Sequence, residues 1–104
     1  EYIETVIGKH PDVSEVSVYG VPAASGAPGE SDLVAAIACF EGKSVDPKSF
    51  YEYLKKNLEA NFIPSYLQIV PEIPKTITEK ALTRVLKEDF LKGVGTIYKY
   101  EDYK

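Results

Sequence analysis

Lys80 is the residue whose type and setting are best suited to chemistry. It follows a Thr-rich, β-branched stretch, Pro74 to Thr78, and an amphipathic pattern through Leu82 and Phe90 begins just after it. This pattern predicts a helix that packs behind a loop and presents the ammonium group at the loop mouth. A lysine in that position is suited to neutralising phosphate or carboxylate charge that develops during a reaction.

The alternative for Lys80 is an ordinary surface lysine at the start of a helix. Most lysines are solvated, and the positive end of the helix dipole disfavours a cation there. Arg84 lies four residues later and shares a helix face with Lys80 if the helix extends that far back. Arg84 is then either a second phosphate contact or a solvated side chain.

Other residues of chemical interest have simpler structural explanations. His10 lies between a helix end and Pro11, so we expect a structural role for it. The loop at 23–29 contains glycines but lacks the Lys-Ser/Thr pair of a phosphate-binding loop, which indicates a hairpin connection. The tail at 98–104 interleaves tyrosines with charges. It is either a stacking platform for an adenine ring or, as we expect, a segment packed on the domain.

The composition indicates one acidic, globular domain over residues 1–104. Of the 104 residues, 44 % are hydrophobic and 27 % are charged, and the net charge is −4, which argues against nonspecific binding to nucleic acid. Cys39 is the only cysteine, which excludes a disulfide within one copy, and we expect a buried thiol and no metal site. No apolar run reaches the roughly 18 residues of a transmembrane segment, so a cytoplasmic location is expected.

Hydrophobic periodicity predicts the order helix, strand, strand, helix, strand, helix. The predicted helices cover 1–7, Asp46-Pro47 to Asn61–Pro64, and 83–91, and the predicted strands cover 13–21, 33–40 and 66–70. In the first strand we expect Val16 and Val18 to point inward and Ser17 outward. The apolar run at 33–40 is typical of a central strand covered on both faces. The predicted fold class is α+β, with a central sheet of about three strands flanked by helices.

The first residues also bear on domain organisation. The chain starts without Met and directly within a helix pattern, from Glu1 to Ile7. A natural domain rarely starts without a cap or an approach segment. We therefore expect a fragment of a longer polypeptide.

Several short motifs, in one order along nearly the whole chain, resemble the C-terminal domain of the acyl-CoA synthetase and adenylate-forming ligase superfamily. The segment Pro74–Lys80 resembles the closing motif of that family, Pro-x-Thr-x-x-Gly-Lys. The other similar segments are His10–Val16 (family His-Pro-x-Val-x-Glu-Ala-Ala-Val), Tyr19–Pro22 (family Val-Gly-Val-Pro), Gly29-Glu30, Ile63-Pro64 and Val70–Thr76. Each motif is weak alone, but their shared order and spacing make the resemblance strong.

The resemblance implies the small, mobile domain of an AMP-forming acid–thiol ligase. In that family a large N-terminal adenylation domain binds ATP, Mg²⁺ and the carboxylic acid, and the small domain supplies a lysine, here Lys80. The acid is joined to AMP with release of pyrophosphate. The small domain then rotates, and another of its faces helps coenzyme A attack the acyl-adenylate. This fragment alone is then expected to be inactive.

The resemblance also implies further site residues. The candidates for the nucleotide side are Thr76, Thr78, Glu79 and Arg84, and the weaker candidates for the coenzyme A side are Gly29 and Glu30. Glu79 stands where the family has glycine, so its carboxylate could pair with Lys80. Ala23 replaces an acidic residue of the family, which changes the thiol-delivery face.

Two alternatives stay open on the sequence alone. One is a small standalone α+β module that binds a ligand or a protein and has a regulatory role. The other is a domain of the same superfamily that loads a carrier-protein thiol instead of free coenzyme A. We prefer coenzyme A because no carrier domain is attached to this sequence.

Overall fold

The computed structural model describes residues 2–23, 26, 28–29, 31–74 and 83–103. Its elements are α1 (Tyr2–Gly8), β1 (Val13–Pro22), β2 (Ser31–Cys39), α2 (Pro47–Asn57), β3 (Tyr66–Ile69), α3 (Thr83–Lys92) and β4 (Thr96–Lys99). Short 3₁₀ turns cover Ala60–Phe62 and Tyr100–Tyr103. The order of elements confirms the α+β class and the predicted succession of helices and strands as far as α3.

Within the described residues the sheet has four strands, in the spatial order β1-β2-β3-β4, so the expectation of about three strands was one too few. β2 pairs antiparallel with β1 and parallel with β3. The additional strand β4 pairs antiparallel with β3, with Tyr66 opposite Lys99 and Ile69 opposite Thr96. The sequence pattern missed β4 because a four-residue edge strand gains its stability from pairing with its neighbour, not from a strong pattern of its own.

A hydrophobic layer covers each face of the sheet. The first core layer, with α1 and α2, contains Val6, Ile7, Val13, Ala35, Ile37, Val45, Phe50, Tyr51, Leu54, Leu58, Ile63 and Leu67. The second core layer, with α3, contains Tyr19, Val21, Val34, Ala36, Ala38, Ile73 and Leu86. Alternate residues of β2 enter the two layers, which confirms that β2 is a central strand covered on both faces.

β1 is also covered on both faces, which corrects one expectation. Val16 and Val18 pack against the first core layer as predicted. Ser17, however, is only 2 % exposed and does not face solvent. It shares a strand face with Tyr19 and Val21, and the second core layer covers that face. The alternation of residue types correctly assigned Ser17 and the two valines to opposite faces of β1. The sequence of β1 alone, however, does not reveal that the second core layer, with α3, covers the face that carries Ser17.

α2 begins as the sequence predicts. Asp46 is the N-cap residue, and its carboxylate accepts a hydrogen bond from the backbone N–H of Ser49 at 3.0 Å. Pro47 occupies the first turn, where a missing N–H costs nothing. The helix ends at Asn57, earlier than predicted, because Leu58 adopts an extended conformation.

Candidate functional site

The predicted catalytic segment is bracketed by residues that rest on one face of the sheet. Ile73, just before the segment, is 4 % exposed, and Leu86, just after it, is 1 % exposed. Both belong to the second core layer. Four candidates of this segment lie outside the described residues: Thr76, Thr78, Glu79 and Lys80. Their roles stay predictions, but the described flanks on both sides of them are anchored on the α3 face.

Arg84 is the nucleotide-side candidate that falls within the described residues. It is the second residue of α3, and its side chain is exposed. Lys87, three residues later and half-buried, lies on the same side of the helix. Leu86 instead points into the second core layer. The face of α3 that carries Arg84 and Lys87 is therefore available for anionic groups.

Gly29, a candidate for the coenzyme A side, lines an open groove of about 660 Å³. The groove lies between the turn that joins β1 to β2 and helix α3, and its lining residues are Gly20, Val21, Pro22, Ala23, Gly26, Pro28, Gly29, Ser31 and Lys87. Gly29 has a φ of +81°, a conformation that favours glycine. Its partner candidate Glu30 lies outside the described residues. Sequence reasoning missed Lys87, because its contribution to the groove depends on contact between elements far apart in the chain.

A network of buried hydrogen bonds lies beneath α3, and the sequence did not predict it. The hydroxyl of Tyr19 donates to Gln68 Oε1 and lies 3.2 Å from the carbonyl oxygen of Leu86. The side-chain amide of Gln68 donates to the same carbonyl at 3.0 Å. Gln68 is 1 % exposed. Burial, together with the charge of Asp89, raises the pKa of Tyr19 and keeps its hydroxyl protonated as a donor.

His10 has the structural role expected from its position after α1. Its Nδ1 accepts a hydrogen bond from the backbone N–H of Asp12 at 3.2 Å. The imidazole ring packs against Phe50 and Tyr53, with centroid separations of 5.0 Å in both cases. These contacts join the turn after α1 to α2, and they confirm the prediction of a structural histidine.

The tyrosines of the C-terminal tail pack on the domain, as expected. Tyr98, Tyr100 and Tyr103 lie against the first core layer. The ring of Tyr51 contacts those of Tyr100 and Tyr103, with centroid separations of 4.9 and 5.9 Å. Lys55 covers the ring of Tyr100, with Nζ 5.8 Å from its centroid. The tail rings therefore pack against Tyr51 and against one another, which favours a tail packed on the domain over an adenine platform.

Metal centres and membrane spans are two other classes of site to consider in the described part of the chain. In those residues, no cluster of three or more His, Cys, Asp and Glu side chains is arranged to hold a metal ion. None of the described helices is long and apolar enough to span a bilayer. Cys39, expected to be buried, is only partly buried, because it is the last residue of β2 and lies beside the first core layer. Burial and the nearby Asp12 raise the pKa of its thiol.

The chain matches a known protein family over most of its length. Residues 2–80 match the family model described as "AMP-binding enzyme C-terminal domain". The matched range covers most of the chain and includes His10, the groove residues on the β1–β2 turn, and Lys80 at its end.

Curated relatives and solved structures agree with the family match. The chain is 33 % identical over 94 residues to a probable CoA ligase, CCL9, of Humulus lupulus, covering 90 % of this chain and 17 % of that protein. It is 33 % identical over 89 residues to an oxalate–CoA ligase of Arabidopsis thaliana, covering 86 % and 17 %. A fatty acyl CoA synthetase of Mycobacterium tuberculosis superposes with a TM-score of 0.74 at 29 % identity, covering 89 % and 18 %. The chain thus spans about a sixth of the length of these proteins.

Proposed function

This chain belongs to the AMP-binding enzyme C-terminal domain family, and we propose that it is the mobile C-terminal domain of an ATP-dependent, AMP-forming acid–thiol ligase of the acyl-CoA synthetase type. It works with a large N-terminal adenylation domain of the same polypeptide. The curated relatives named as CoA ligases support coenzyme A as the thiol acceptor. The comparisons do not favour a freestanding regulatory module.

Lys80 is the catalytic residue of the first half-reaction in this proposal. A carboxylate oxygen of the acid attacks the α-phosphorus of ATP, and the bond to pyrophosphate breaks. The reaction brings two anions together, so positioning and charge stabilisation dominate the barrier. The ammonium group of Lys80 offsets this repulsion at the carboxylate and the phosphate. We assign Thr76, Thr78, Glu79 and Arg84 to the nucleotide side of the site.

ATP and Mg²⁺ are assigned to the large domain. In the described residues of this chain, the acidic and imidazole side chains form no three-ligand cluster that would hold a metal ion. No step is therefore assigned to a metal held by this domain. Its contribution to the first half-reaction is the lysine and the helix that follows it.

The thiol half-reaction uses a different face of the domain. The groove beside Gly29 is open to solvent, and Lys87 is one of its lining residues. Coenzyme A carries several phosphates, and a lysine at the rim of such a groove can pair with one of them. We assign this groove, with Gly29 and Glu30, to the coenzyme A side.

The observation that supports the proposal most directly is the family match, which ends on Lys80. The test is acid-dependent ATP–pyrophosphate exchange by the full-length ligase that contains this domain. We expect Lys80→Ala to lower exchange about 10²–10³-fold, the usual cost of removing one well-placed charge donor. The matched control is Lys56→Ala, an exposed lysine on α2, which should leave exchange unchanged.

Two further measurements complete the test. Lys80→Ala should still convert a preformed acyl-adenylate to the thioester, because the lysine serves the first half-reaction. The 104-residue chain alone should form no AMP. Absence of exchange by the wild-type ligase across a broad panel of acids would contradict the ligase function, and equal exchange by Lys80→Ala would contradict the role of the lysine.

A further inference from the structure

Helix α3 follows the predicted catalytic segment, and its apolar contact with the sheet is small. Leu86 is the buried residue of this helix. Val85 and Phe90 are half-buried, and Phe90 packs against the ring of Tyr66 with centroids 5.0 Å apart. Apolar contact is non-directional, so a narrow contact of this kind stabilises the helix without setting its rotation or its position along the sheet.

The hydrogen bonds beneath α3 supply the directional constraint that apolar contact lacks. The carbonyl of Leu86 accepts from Gln68 Nε2 at 3.0 Å, and the hydroxyl of Tyr19 lies 3.2 Å from the same oxygen. Tyr19 also donates to Gln68 Oε1, which fixes the orientation of the Gln68 amide. Because hydrogen bonds weaken steeply with distance and angle, this oxygen has one preferred position over the sheet.

The strand order of the sheet explains how Tyr19 and Gln68 come within hydrogen-bond distance of each other. Tyr19 is on β1 and Gln68 is on β3, the two strands that flank β2. Ala36 of β2 is in register with Gln68, and Val34 is in register with Tyr19. Ala36 carries only a methyl group on this face, and Tyr19 and Gln68 form their hydrogen bond across β2. Three elements are thereby joined at one carbonyl group.

We infer that Tyr19 and Gln68 are positioning residues for the adenylation half-reaction, acting through the Leu86 carbonyl to set the placement of α3, the helix that begins three residues after Lys80 in the sequence. This inference rests on the proposed function. Lys80 precedes Leu86 by six residues, and Ile73 anchors the other flank in the same core layer. Geometry matters strongly here, since a displacement of about 1 Å can reduce a rate about 10²-fold.

Tyr51 provides a matched control on the opposite face of the sheet. It is also a buried tyrosine, and its hydroxyl donates to the backbone carbonyl of Pro64 at 3.3 Å. Tyr51→Phe therefore removes the same chemical group and the same kind of hydrogen bond as Tyr19→Phe. It does so in the first core layer, which carries α1 and α2 instead of α3.

The experiment compares Tyr19→Phe, Gln68→Met and the double variant with Tyr51→Phe in the full-length ligase. The readouts are the rate of ATP–pyrophosphate exchange, the rate of thioester formation from preformed acyl-adenylate, and the thermal unfolding midpoint. We expect the double variant to lower exchange about 10-fold or more, with thioester formation at saturating coenzyme A unchanged. Tyr51→Phe should lower the unfolding midpoint without lowering exchange. The single variants should be non-additive, because they share one acceptor.

A second arm tests whether the effect passes through Lys80. In the Lys80→Ala background, the Tyr19 and Gln68 substitutions should cause no further loss of exchange. Gln68→Met alone keeps the volume of the side chain and serves if Tyr19→Phe folds poorly. Unchanged exchange, equal loss in both half-reactions, or an equal effect of Tyr51→Phe would overturn the inference. A wild-type ligase without exchange would overturn the proposed function, and the inference with it.

Discussion

The carboxylate of Glu4 accepts a hydrogen bond from the backbone N–H of Val18 at 2.8 Å. This contact joins α1 to β1, which lies at one edge of the described sheet. An edge strand presents backbone N–H groups with no partner strand, and such groups are a template for pairing with another chain. Glu4 covers one of them with a charged acceptor, and charge-assisted hydrogen bonds are stronger than neutral ones.

Glu4→Ala is expected to lower the free energy of unfolding of the 104-residue chain by about 1.5–3 kcal/mol, the usual value for a hydrogen bond to a charged group. Urea unfolding followed by circular dichroism measures it. Glu4→Gln keeps an acceptor oxygen and should lose less. Glu52→Ala, at an exposed position on α2, is the surface control. An unchanged urea midpoint in Glu4→Ala would show that the Val18 contact contributes nothing.

Lys87→Ala in the full-length ligase is expected to raise the KM for coenzyme A about 10-fold, the loss of one charge-assisted contact to a phosphate. The reason is that Lys87 borders the groove beside Gly29. Acid-dependent pyrophosphate exchange, which does not involve the thiol, should stay at the wild-type level. The opposite pattern, with exchange lost and the KM for coenzyme A unchanged, would remove the groove from the thiol side.

Alkaline pH is expected to destabilise the chain through its buried tyrosines. Burial first, and then the neighbouring Tyr100 and Tyr103, raises the pKa of Tyr51 above its ordinary value of 10.0, and burial raises that of Tyr19 likewise. The unfolded chain therefore releases these protons at lower pH than the folded chain. The stabilisation is complete below about pH 10 and is lost as the pH rises above it, by about 1.4 kcal/mol per pH unit for each group.

The alkaline effect is measured as the urea midpoint at pH about 8 and about 11. Tyr51→Phe removes one of the phenols with a raised pKa. The loss of stability between the two pH values should therefore be smaller in this variant than in the wild type. Tyr2→Phe is the control, because Tyr2 is 57 % exposed. If wild type and Tyr51→Phe lose stability in parallel, the phenol of Tyr51 is not responsible.

Cys39 is expected to react slowly with iodoacetamide near neutral pH. Burial, followed by the charge of Asp12, raises the pKa of its thiol, although a backbone hydrogen bond from Val45 acts in the other direction. The thiolate is the reactive form, so a raised pKa lowers the rate. Asp12→Asn should speed alkylation, whereas Asp102→Asn, in the exposed part of the tail, should not. Mass spectrometry of timed samples would measure the rates, and equal rates in all three proteins would contradict the influence of Asp12.

Local signals account for the parts of the fold that were predictable. The start of α2 depends on Asp46 and Pro47, which act on backbone groups within one turn. The burial of β2 on both faces follows from its nearly continuous apolar run. A strand with one face in solvent would instead alternate apolar and polar residues. The motif that ends on Lys80 is likewise a local pattern, and it indicated the family that the comparisons then showed.

The amino-acid sequence by itself determined the helices, the first three strands and the family, because capping, periodicity and short motifs act over a few residues. Only the tertiary structure decided that Ser17 is buried, that β4 extends the sheet, and that Lys87 borders the groove. The same holds for the contacts of Gln68 with Tyr19 and Leu86, which span 49 and 18 residues of chain. Contacts between residues so far apart in the chain depend on which elements pack together. Here they depend on the packing of α3 on the second core layer.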